Sequence, residues 1–353
     1  MSTEDPNQDR DPVEDRKDAH LRICLEEPIE RLGVTTGFER WRFEHDTFPE
    51  LARGSVDIST EVFGRRLAAP IMIGAMTGGT PRAGAINRIL AEAAQRCGVA
   101  MALGSQRKMI EAPDTVETFR VRDVAPDILL MGNVGAVQLN YGVTATDINR
   151  LISGVGADLF AFHLNPLQEA IQPEGDTNFA GLIPALSRVI PQLDVPVVLK
   201  EVGAGFSAKT LRKIAHLPFA GLETAGVGGT SWSKIETFRT ESWIQQMTGR
   251  NLGDWGVPTC ESLRAAVSIL GKTDKTVICS GGIRSGLQVA KAVAMGADLV
   301  AAALPFLRAA DSGGVEAVVL QIQQFMDELR TVCFVTGSAS LSALRQQTLL
   351  EVT

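Results

Sequence analysis

The densest group of polar side chains in this chain lies in the segment HLNPLQE, which runs from His163 to Glu169, and in QPEGD at residues 172–176. Glu169 is a hard oxygen ligand of the kind that suits Mg²⁺ when waters and substrate phosphates complete its shell. His163, which lies beside Asn165 at the end of a predicted strand, is predicted to contact a ligand, and a buried histidine with a structural hydrogen bond is the alternative. The acidic residues of QPEGD are interpreted as solvated turn residues without a catalytic role.

A second pattern, SGGIRSG at residues 280–286, is typical of a phosphate site. Its adjacent glycines would let backbone amides approach an anion, and the helix predicted to follow would direct its positive end toward that anion. A tight turn without a ligand is the alternative. Arg107 and the cluster RKDAH at residues 16–20 could supply the charged donors that phosphate oxygens favour. These patterns favour a small phosphorylated ligand.

Lys200 closes an apolar run, so its ammonium would be partly desolvated unless an electron-rich partner lies opposite. A flavin ring, which becomes anionic on reduction, is such a partner. A carboxylate in the core is the alternative.

The elements that must position these side chains are short apolar runs, each followed by a polar or glycine-rich cluster and then by a helical pattern. Continuous apolarity, rather than alternation, is typical of strands buried on both faces in a parallel sheet. The predicted strands are residues 69–74, 99–103, 128–132, 158–163, 195–200, 220–224, 276–280 and 297–301. The predicted helices include residues 83–96, 145–154, 208–216, 260–270, 286–295 and, after the last strand, 314–331.

Eight such units predict an α/β fold, the closed (β/α)₈ or TIM barrel, in which active sites lie at the carboxyl ends of the strands. An open doubly wound sheet is the competing architecture, and the lack of a GxGxxG pattern in the first unit disfavours it. We expect a single barrel domain over residues 16–353, with an N-terminal extension and a long insertion after the sixth strand, at about residues 225–275. Residues 1–15, with six acidic residues, are expected to be a disordered leader.

Composition disfavours several functions. The net charge of −7, without a concentrated basic stripe, makes nucleic acid a poor partner. Five cysteines without CxxC spacing argue against a disulfide framework or a zinc site and fit a reducing compartment. No apolar run reaches the roughly 18–20 residues that span a bilayer, and no signal-peptide core is present. We therefore expect a cytoplasmic protein without nucleic-acid or membrane partners.

The motifs together resemble one family, the type 2 isopentenyl-diphosphate isomerases. The matching motifs are RKDAH at residue 16, AMTGG at 75, LGSQR at 103, GN at 132, HLNPLQE with QPEGD, KEVGAG at 200, GGTSW at 228, SGGIRSG, and Thr336-Gly337. The resemblance implies an FMN-dependent barrel enzyme that interconverts isopentenyl and dimethylallyl diphosphate. It also implies a need for Mg²⁺, for NADPH to keep the FMN reduced, and a cytoplasmic homo-oligomer, either a tetramer or an octamer.

The resemblance also implies roles for individual residues. The diphosphate substrate would be bound by Arg16, Lys17, Ser105, Gln106, Arg107, His163, Asn165 and Gln168. Glu169 would hold Mg²⁺, and Gln168, His163 and Lys200 would take part in catalysis. FMN would contact Ala75, Met76, Thr77, Ser105, Asn133, Lys200, Thr230, Gly282, Ile283, Arg284, Ala303 and Leu304. The segment GLETAGVGGTSW departs from the family, which usually has an Asp-containing strand here and often a serine in place of Ala225. A hydroxyl contact to the flavin would then be missing.

The chemistry expected of such an isomerase adds a proton to one carbon and removes one from its neighbour, with reduced FMN as the acid and base and no net redox change. An FMN oxidoreductase, such as a 2-hydroxy-acid oxidase, would need a histidine base at the tip of the sixth or seventh strand, where this chain has Gly-Gly-Thr and Ser-Gly-Gly. A non-catalytic barrel that senses a phosphorylated ligand would not need Gln168, Glu169 and Lys200. We expect residues 16–20 to be unordered before substrate binds.

Overall fold

The computed structural model of the protein describes residues 12–31 and 33–352, with side chains from residue 16 onward. Helix α1 (Pro12–Glu26) begins inside the predicted leader and includes the RKDAH cluster. Residues 1–11 of that leader lie outside the described residues. Three short strands follow: β1 (Trp41–Phe43), β2 (Thr60–Val62) and β3 (Arg65–Leu67). Strands β2 and β3 pair with each other in an antiparallel arrangement, and all three strands precede the barrel strands in the sequence.

The next eight strands form a closed parallel barrel in chain order, which confirms the TIM barrel and excludes the open sheet. They are β4 (Ile71–Ile73), β5 (Ala100–Ala102), β6 (Leu130–Gly135), β7 (Leu159–Leu164), β8 (Val197–Glu201), β9 (Gly221–Glu223), β10 (Thr276–Ser280) and β11 (Leu299–Ala302). Each overlaps one predicted run, and β6 extends three residues further than predicted, through Asn133 to Gly135. A last strand, β12 (Leu349–Glu351), pairs with β1 outside the barrel.

Most of the helices after α1 lie between consecutive barrel strands in the sequence. They are α2 (Pro81–Cys97), α3 (Arg107–Glu111), α4 (Ala145–Val155), α5 (Pro166–Ile171), α6 (Leu182–Val189), α7 (Ala208–Ile214), α8 (Trp232–Thr237), α9 (Trp243–Asn251), α10 (Thr259–Leu270), α11 (Gly286–Ala294), α12 (Leu304–Val335) and α13 (Leu341–Leu344). Short 3₁₀ helices lie at Phe38–Arg40, Arg53–Ser55, Pro113–Thr118, Ala136–Tyr141 and Ile190–Gln192. Helix α12 contains the predicted helix 314–331 and begins earlier, with non-helical backbone at Gly313 and Gly314.

Strand burial explains the continuous apolar runs. Along β7, Leu159 and Ala161 belong to a cluster inside the barrel, whereas Phe160 and Phe162 pack outward against the helices. Both faces are therefore buried, as expected for a parallel sheet covered by helices. Inside the barrel many positions are small, because Ala100, Ala102, Ala161 and Ala301 lie among the methionine and aliphatic side chains.

The long connection between β9 and β10 holds two additional helices, α8 and α9, whereas α10 is the ordinary barrel helix before β10. The inserted part is thus shorter than the predicted 225–275. Helix α1 packs against α2, α8 and α12, so the N-terminal segment and the insertion meet over the barrel.

None of the described helices is both long and apolar enough to cross a bilayer. All five cysteines are unpaired.

Candidate active site

A deep cavity opens at the carboxyl ends of the barrel strands and is covered on one side by α1. It holds about 1550 Å³ of empty space, with the open solvent at its mouth included. All but one of the residues predicted for the site line this cavity. The structure therefore brings together side chains that are spread from residue 16 to residue 304 in the sequence.

The exception is Gln106, which was expected to bind substrate. Its side chain is fully buried behind the cavity wall. Its Oε1 accepts a hydrogen bond from the backbone of Asn133 at 2.9 Å, and its Nε2 donates to the carbonyl of Leu151 at 3.2 Å. Since both ends of the amide are used in joining β6 to its neighbours, Gln106 holds the strand that carries Asn133 rather than reaching a ligand.

A backbone cradle lies at the ends of β10 and β11, where the sequence predicted a phosphate site. Gly281 and Gly282 have φ values of +107° and +70°, which favour glycine. A Cβ on Gly282 would collide with the carbonyl of Gly228. The loops after β9 and β10 are therefore in direct backbone contact, and the start of α12 at Leu304 faces the same cavity.

These features fit the FMN that the family resemblance implies. The Thr77 hydroxyl is buried, lines the cavity and has no hydrogen-bond partner within the described chain. Because a buried polar atom without a partner is costly, it is a ready contact for a bound group. Ala225, at the departure from the family pattern, also lines the cavity, and its φ of +38° is unusual for a residue with a side chain.

His163 and Lys200 lie side by side on β7 and β8, as their paired register requires. The His163 Nδ1 lies 2.8 Å from the Oδ1 of Asn133. Burial, together with the cationic Lys200, lowers the pKa of His163 to about 3. His163 is therefore neutral, with its Nδ1–H donated to Asn133 and its Nε2 left as an acceptor. It can accept a hydrogen bond from a ligand, but it cannot serve as a cationic acid near neutral pH.

A cluster of cations lies under α1 on another wall of the cavity. Burial and the neighbouring Arg16 and Arg107 lower the pKa of Lys17 to about 7. The Arg107 guanidinium donates to Asp176 at 2.5 Å and to Glu111 at 2.8 Å, and Arg16 lies 3.8 Å from Glu174. Three cations on one wall favour a ligand that carries more than one negative charge.

Glu169 lies beside this cluster with both carboxylate oxygens engaged. Its Oε1 accepts from the Asn165 Nδ2 at 2.8 Å, and its Oε2 accepts from the Asp176 backbone N–H at 2.7 Å. Burial raises the pKa of Glu169. The buried Asn165 Oδ1 has no hydrogen-bond partner among the described residues, so Asn165 and Glu169 offer two oxygen donors of the kind that suits Mg²⁺. No cluster of three or more metal-ligating His, Cys, Asp or Glu side chains occurs among the described residues, so ligand oxygens and waters would have to complete the shell.

Glu236, a fully buried carboxylate on the inserted helix α8, is a site residue that was not predicted from the sequence. It accepts a hydrogen bond from the Gln168 Nε2 at 2.9 Å, and it is 3.1 Å from His20 Nε2 and 2.6 Å from Arg239. These donors hold the pKa of Glu236 at about 2, despite its burial. No strand-end pattern could reveal it, because Glu236 reaches the site from an insertion. It fixes the Gln168 amide and ties α1 to α8.

Comparison with known proteins first defines the class. The sequence pattern of the family described as FMN-dependent dehydrogenase matches residues 33–116 and 185–351. In fold, the chain is similar to a mandelate oxidase variant, with a TM-score of 0.65 over 95% of this chain and 99% of the other at 18% identity. It is similar to a lactate oxidase from Pediococcus acidilactici, with a TM-score of 0.65 over 95% and 87% at 14% identity. The barrel is thus that of the FMN-dependent dehydrogenases.

Sequence relatives narrow this class. The chain is 49% identical to the isopentenyl-diphosphate delta-isomerase of a Synechococcus strain, over 94% of each chain. It is 45% identical to that of Stutzerimonas stutzeri, over 96% of this chain and 97% of the relative, and 44% identical to that of a Nostoc strain, over 94% of each. The chain therefore belongs to the isopentenyl-diphosphate delta-isomerase family on an FMN-dependent dehydrogenase barrel, which confirms the resemblance drawn from its motifs.

Proposed function

We propose that this protein converts isopentenyl diphosphate to dimethylallyl diphosphate, with FMN and Mg²⁺ in the cavity and NADPH as the reductant of the flavin. One observation carries the proposal: a glycine cradle, a cluster of cations and a buried carboxylate face a single cavity in a chain of this family. A flavin alone would need only the cradle. The cations and Glu169 provide for a second, multiply charged ligand beside it.

The diphosphate end of the substrate is assigned to the wall formed by Arg16, Lys17 and Arg107, with Ser105 next to them. Arg107 already donates to two carboxylates, so its guanidinium is fixed in orientation before a ligand arrives. Glu169 would hold Mg²⁺ against the same phosphate oxygens, with Asn165 as a further oxygen donor. With this assignment, the charged end of the substrate would lie at one end of the cavity.

The alkene end is assigned to the neutral side chains of His163 and Gln168. The Gln168 amide is fixed at both ends, since its Nε2 donates to Glu236 and its Oε1 lies 3.2 Å from the Asn165 Nδ2. Neither an amide nor a histidine with a pKa of about 3 is an effective acid at neutral pH. Reduced FMN, when bound, would supply the acid and base for the proton shift. The protein residues would position the alkene and exclude water.

The cradle of Gly282, Ile283 and Arg284, together with Ala303 and Leu304, would hold the FMN phosphate. The flavin ring would be surrounded by Ala75, Met76, Thr77, Asn133, Lys200 and Thr230.

We further propose that the protein acts as a cytoplasmic homo-oligomer, a tetramer or an octamer. Exposed apolar side chains on the insertion support association, since Trp243 and Ile244 are each 71% exposed. Sedimentation of the purified protein at micromolar concentration measures the oligomeric state directly. A monomer would contradict the proposed association.

The function is tested by incubating the protein with isopentenyl diphosphate, FMN, Mg²⁺ and NADPH and measuring dimethylallyl diphosphate by chromatography. In parallel, lactate and mandelate are offered and flavin reduction is followed. We expect allylic product and no oxidation of the hydroxy acids, because the loops after β9 and β10 carry glycine, threonine and serine where an oxidase would need a histidine. Hydroxy-acid oxidation without isomerisation would replace the proposal with an oxidase.

The depressed pKa of Lys17 predicts a pH dependence of substrate binding. Below about pH 7 the amine is charged and can bind phosphate; above it, the free protein must take up a proton to do so. The KM for isopentenyl diphosphate should therefore rise above pH 7, approaching tenfold per pH unit, and Lys17→Gln should remove most of this dependence. Initial rates between pH 6 and 9 measure it, and equal profiles for the two proteins would contradict it.

Adding a methyl group to the cradle should weaken cofactor binding. Gly282→Ala places a Cβ against the carbonyl of Gly228 at a φ of +70°, so the two loops must separate. We expect at least a tenfold rise in the Kd for FMN, because about 1.4 kcal/mol of strain suffices for tenfold. Isothermal titration measures it. Gly142→Ala is the matched control, since its φ is also positive but no atom lies near the added Cβ.

A further inference from the structure

Glu223 is a buried carboxylate on the cavity wall that the proposed reaction does not use. It is the last residue of β9, and the register of the barrel places it directly beside Lys200 on β8. Only 3% of Glu223 and 6% of Lys200 are exposed, yet both line the cavity. A buried carboxylate needs specific partners to remain charged.

The partners of Glu223 differ between its two oxygens. Its Oε1 accepts from the Ser280 hydroxyl at 2.8 Å and lies 3.8 Å from the Lys200 ammonium. The Ser280 Oγ in turn accepts from the backbone N–H of Ala225 at 3.0 Å, which leaves the hydroxyl hydrogen for Glu223. The Oε2 has no partner within the described chain. One oxygen is thus fixed by a hydroxyl and a cation, while the other remains open.

Lys200 has two partners of different kinds. Its Nζ donates a hydrogen bond to the carbonyl of Glu201 at 3.0 Å, whereas its 3.8 Å approach to Glu223 is an ion pair beyond hydrogen-bond length. An ammonium has three hydrogens, so two remain for groups in the cavity. Lys200 therefore faces any bound ligand as one half of an ion pair, and the charge that the ligand experiences from this wall is much smaller than that of a free ammonium.

We propose that Glu223 is a positioning residue that orients Lys200 and offsets its charge toward the flavin, so that it lowers the reduction potential of bound FMN. The inference rests on the proposed binding of FMN. Reduction adds negative charge to the flavin, which an uncompensated ammonium would favour and a neighbouring carboxylate disfavours. Both interpretations that the sequence allowed for Lys200, a flavin contact and a carboxylate partner, then apply together.

The test is the midpoint potential of FMN in the loaded protein, measured anaerobically against a reference dye. Glu223→Gln keeps the size of the side chain and removes its charge. We expect the ratio of affinities for reduced and oxidised FMN to rise about tenfold, a positive shift of about 30 mV for a two-electron couple. Ser280→Ala removes a hydrogen bond to Glu223 but no charge, and its potential should stay close to that of the wild type. A loss of packing alone would weaken the binding of oxidised and reduced FMN equally, so it would leave the midpoint potential unchanged.

A second pair of variants keeps the test decisive if Glu223→Gln folds poorly. Lys200→Met should lower the ratio about tenfold, and the double variant Lys200→Met with Glu223→Gln should return it close to the wild-type value. An unshifted potential in Glu223→Gln, or a double variant that stays at the value of Lys200→Met, would overturn the inference. Failure of the wild-type protein to bind FMN would overturn the proposed function as well, whereas binding with unshifted potentials overturns this inference alone.

Discussion

Replacing Glu169 with glutamine should lower kcat/KM for isopentenyl diphosphate by about 10²- to 10³-fold, because a neutral amide is a poor ligand for Mg²⁺ and no longer offsets charge at the phosphates. The two hydrogen bonds to Glu169 come from Asn165 and from the backbone of Asp176, so one amide oxygen can retain only part of this arrangement. The response to added Mg²⁺ should flatten in the variant. Initial rates across a Mg²⁺ titration measure both effects.

Two controls separate this loss from misfolding. The Kd for FMN of Glu169→Gln should match that of the wild type, since Glu169 lies on the wall of the cations rather than at the glycine cradle. Glu117→Gln removes a surface carboxylate whose side chain is 68% exposed, and it should leave rates unchanged. A Glu169→Gln protein with normal rates and a normal Mg²⁺ response would remove the metal site from the proposal.

The second large effect is expected at Arg107. Arg107→Gln should raise the KM for isopentenyl diphosphate about 30-fold, since charge-assisted hydrogen bonds contribute roughly 1.5–3 kcal/mol and each 1.4 kcal/mol is about tenfold. Its guanidinium is oriented by Glu111 and Asp176, so it is ready to bind a phosphate without rearrangement. The kcat should change much less, because the proposed position of the alkene is at the other end of the cavity.

Steady-state kinetics at saturating Mg²⁺ separate the two parameters. Arg120→Gln is the matched control, since Arg120 pairs with Glu117 at the surface and its side chain is 53% exposed. If Arg107→Gln lowered kcat and left KM unchanged, Arg107 would act on the reacting atoms instead, and the assignment of the diphosphate to this wall would be wrong.

The barrel could be predicted from the sequence because each strand is apolar on both faces and ends in a polar or glycine cluster. Residues at those ends, such as His163, Lys200 and Gly282, were found for the same reason. Two kinds of residue escaped this logic. Gln106 has the polarity of a site residue but is used inside the wall, and only the fold shows its partners. Glu236 reaches the site from an inserted helix, whose position no strand pattern specifies.

The sequence allowed a carboxylate partner for Lys200, but it could not identify which carboxylate this would be. In the sequence, Glu223 lies within an apolar run that predicts a strand. Its pairing with Lys200 follows only from the register of β8 and β9. Of the acidic residues of QPEGD, interpreted as solvated turn residues, Glu174 is an exposed turn residue that also pairs with Arg239 at 2.6 Å, whereas Asp176 is half-buried and binds Arg107 of the site. Such contacts depend on distances between segments far apart in the chain.

In the proposed reaction the flavin undergoes no net redox change. The most direct test is the anaerobic turnover of isopentenyl diphosphate with Mg²⁺, comparing protein that holds oxidised FMN with protein whose FMN has been reduced by dithionite. We predict dimethylallyl diphosphate only with reduced flavin, over many turnovers, while the absorbance spectrum shows that the flavin stays reduced. Flavin oxidation in proportion to product, or equal turnover with oxidised flavin, would contradict the account.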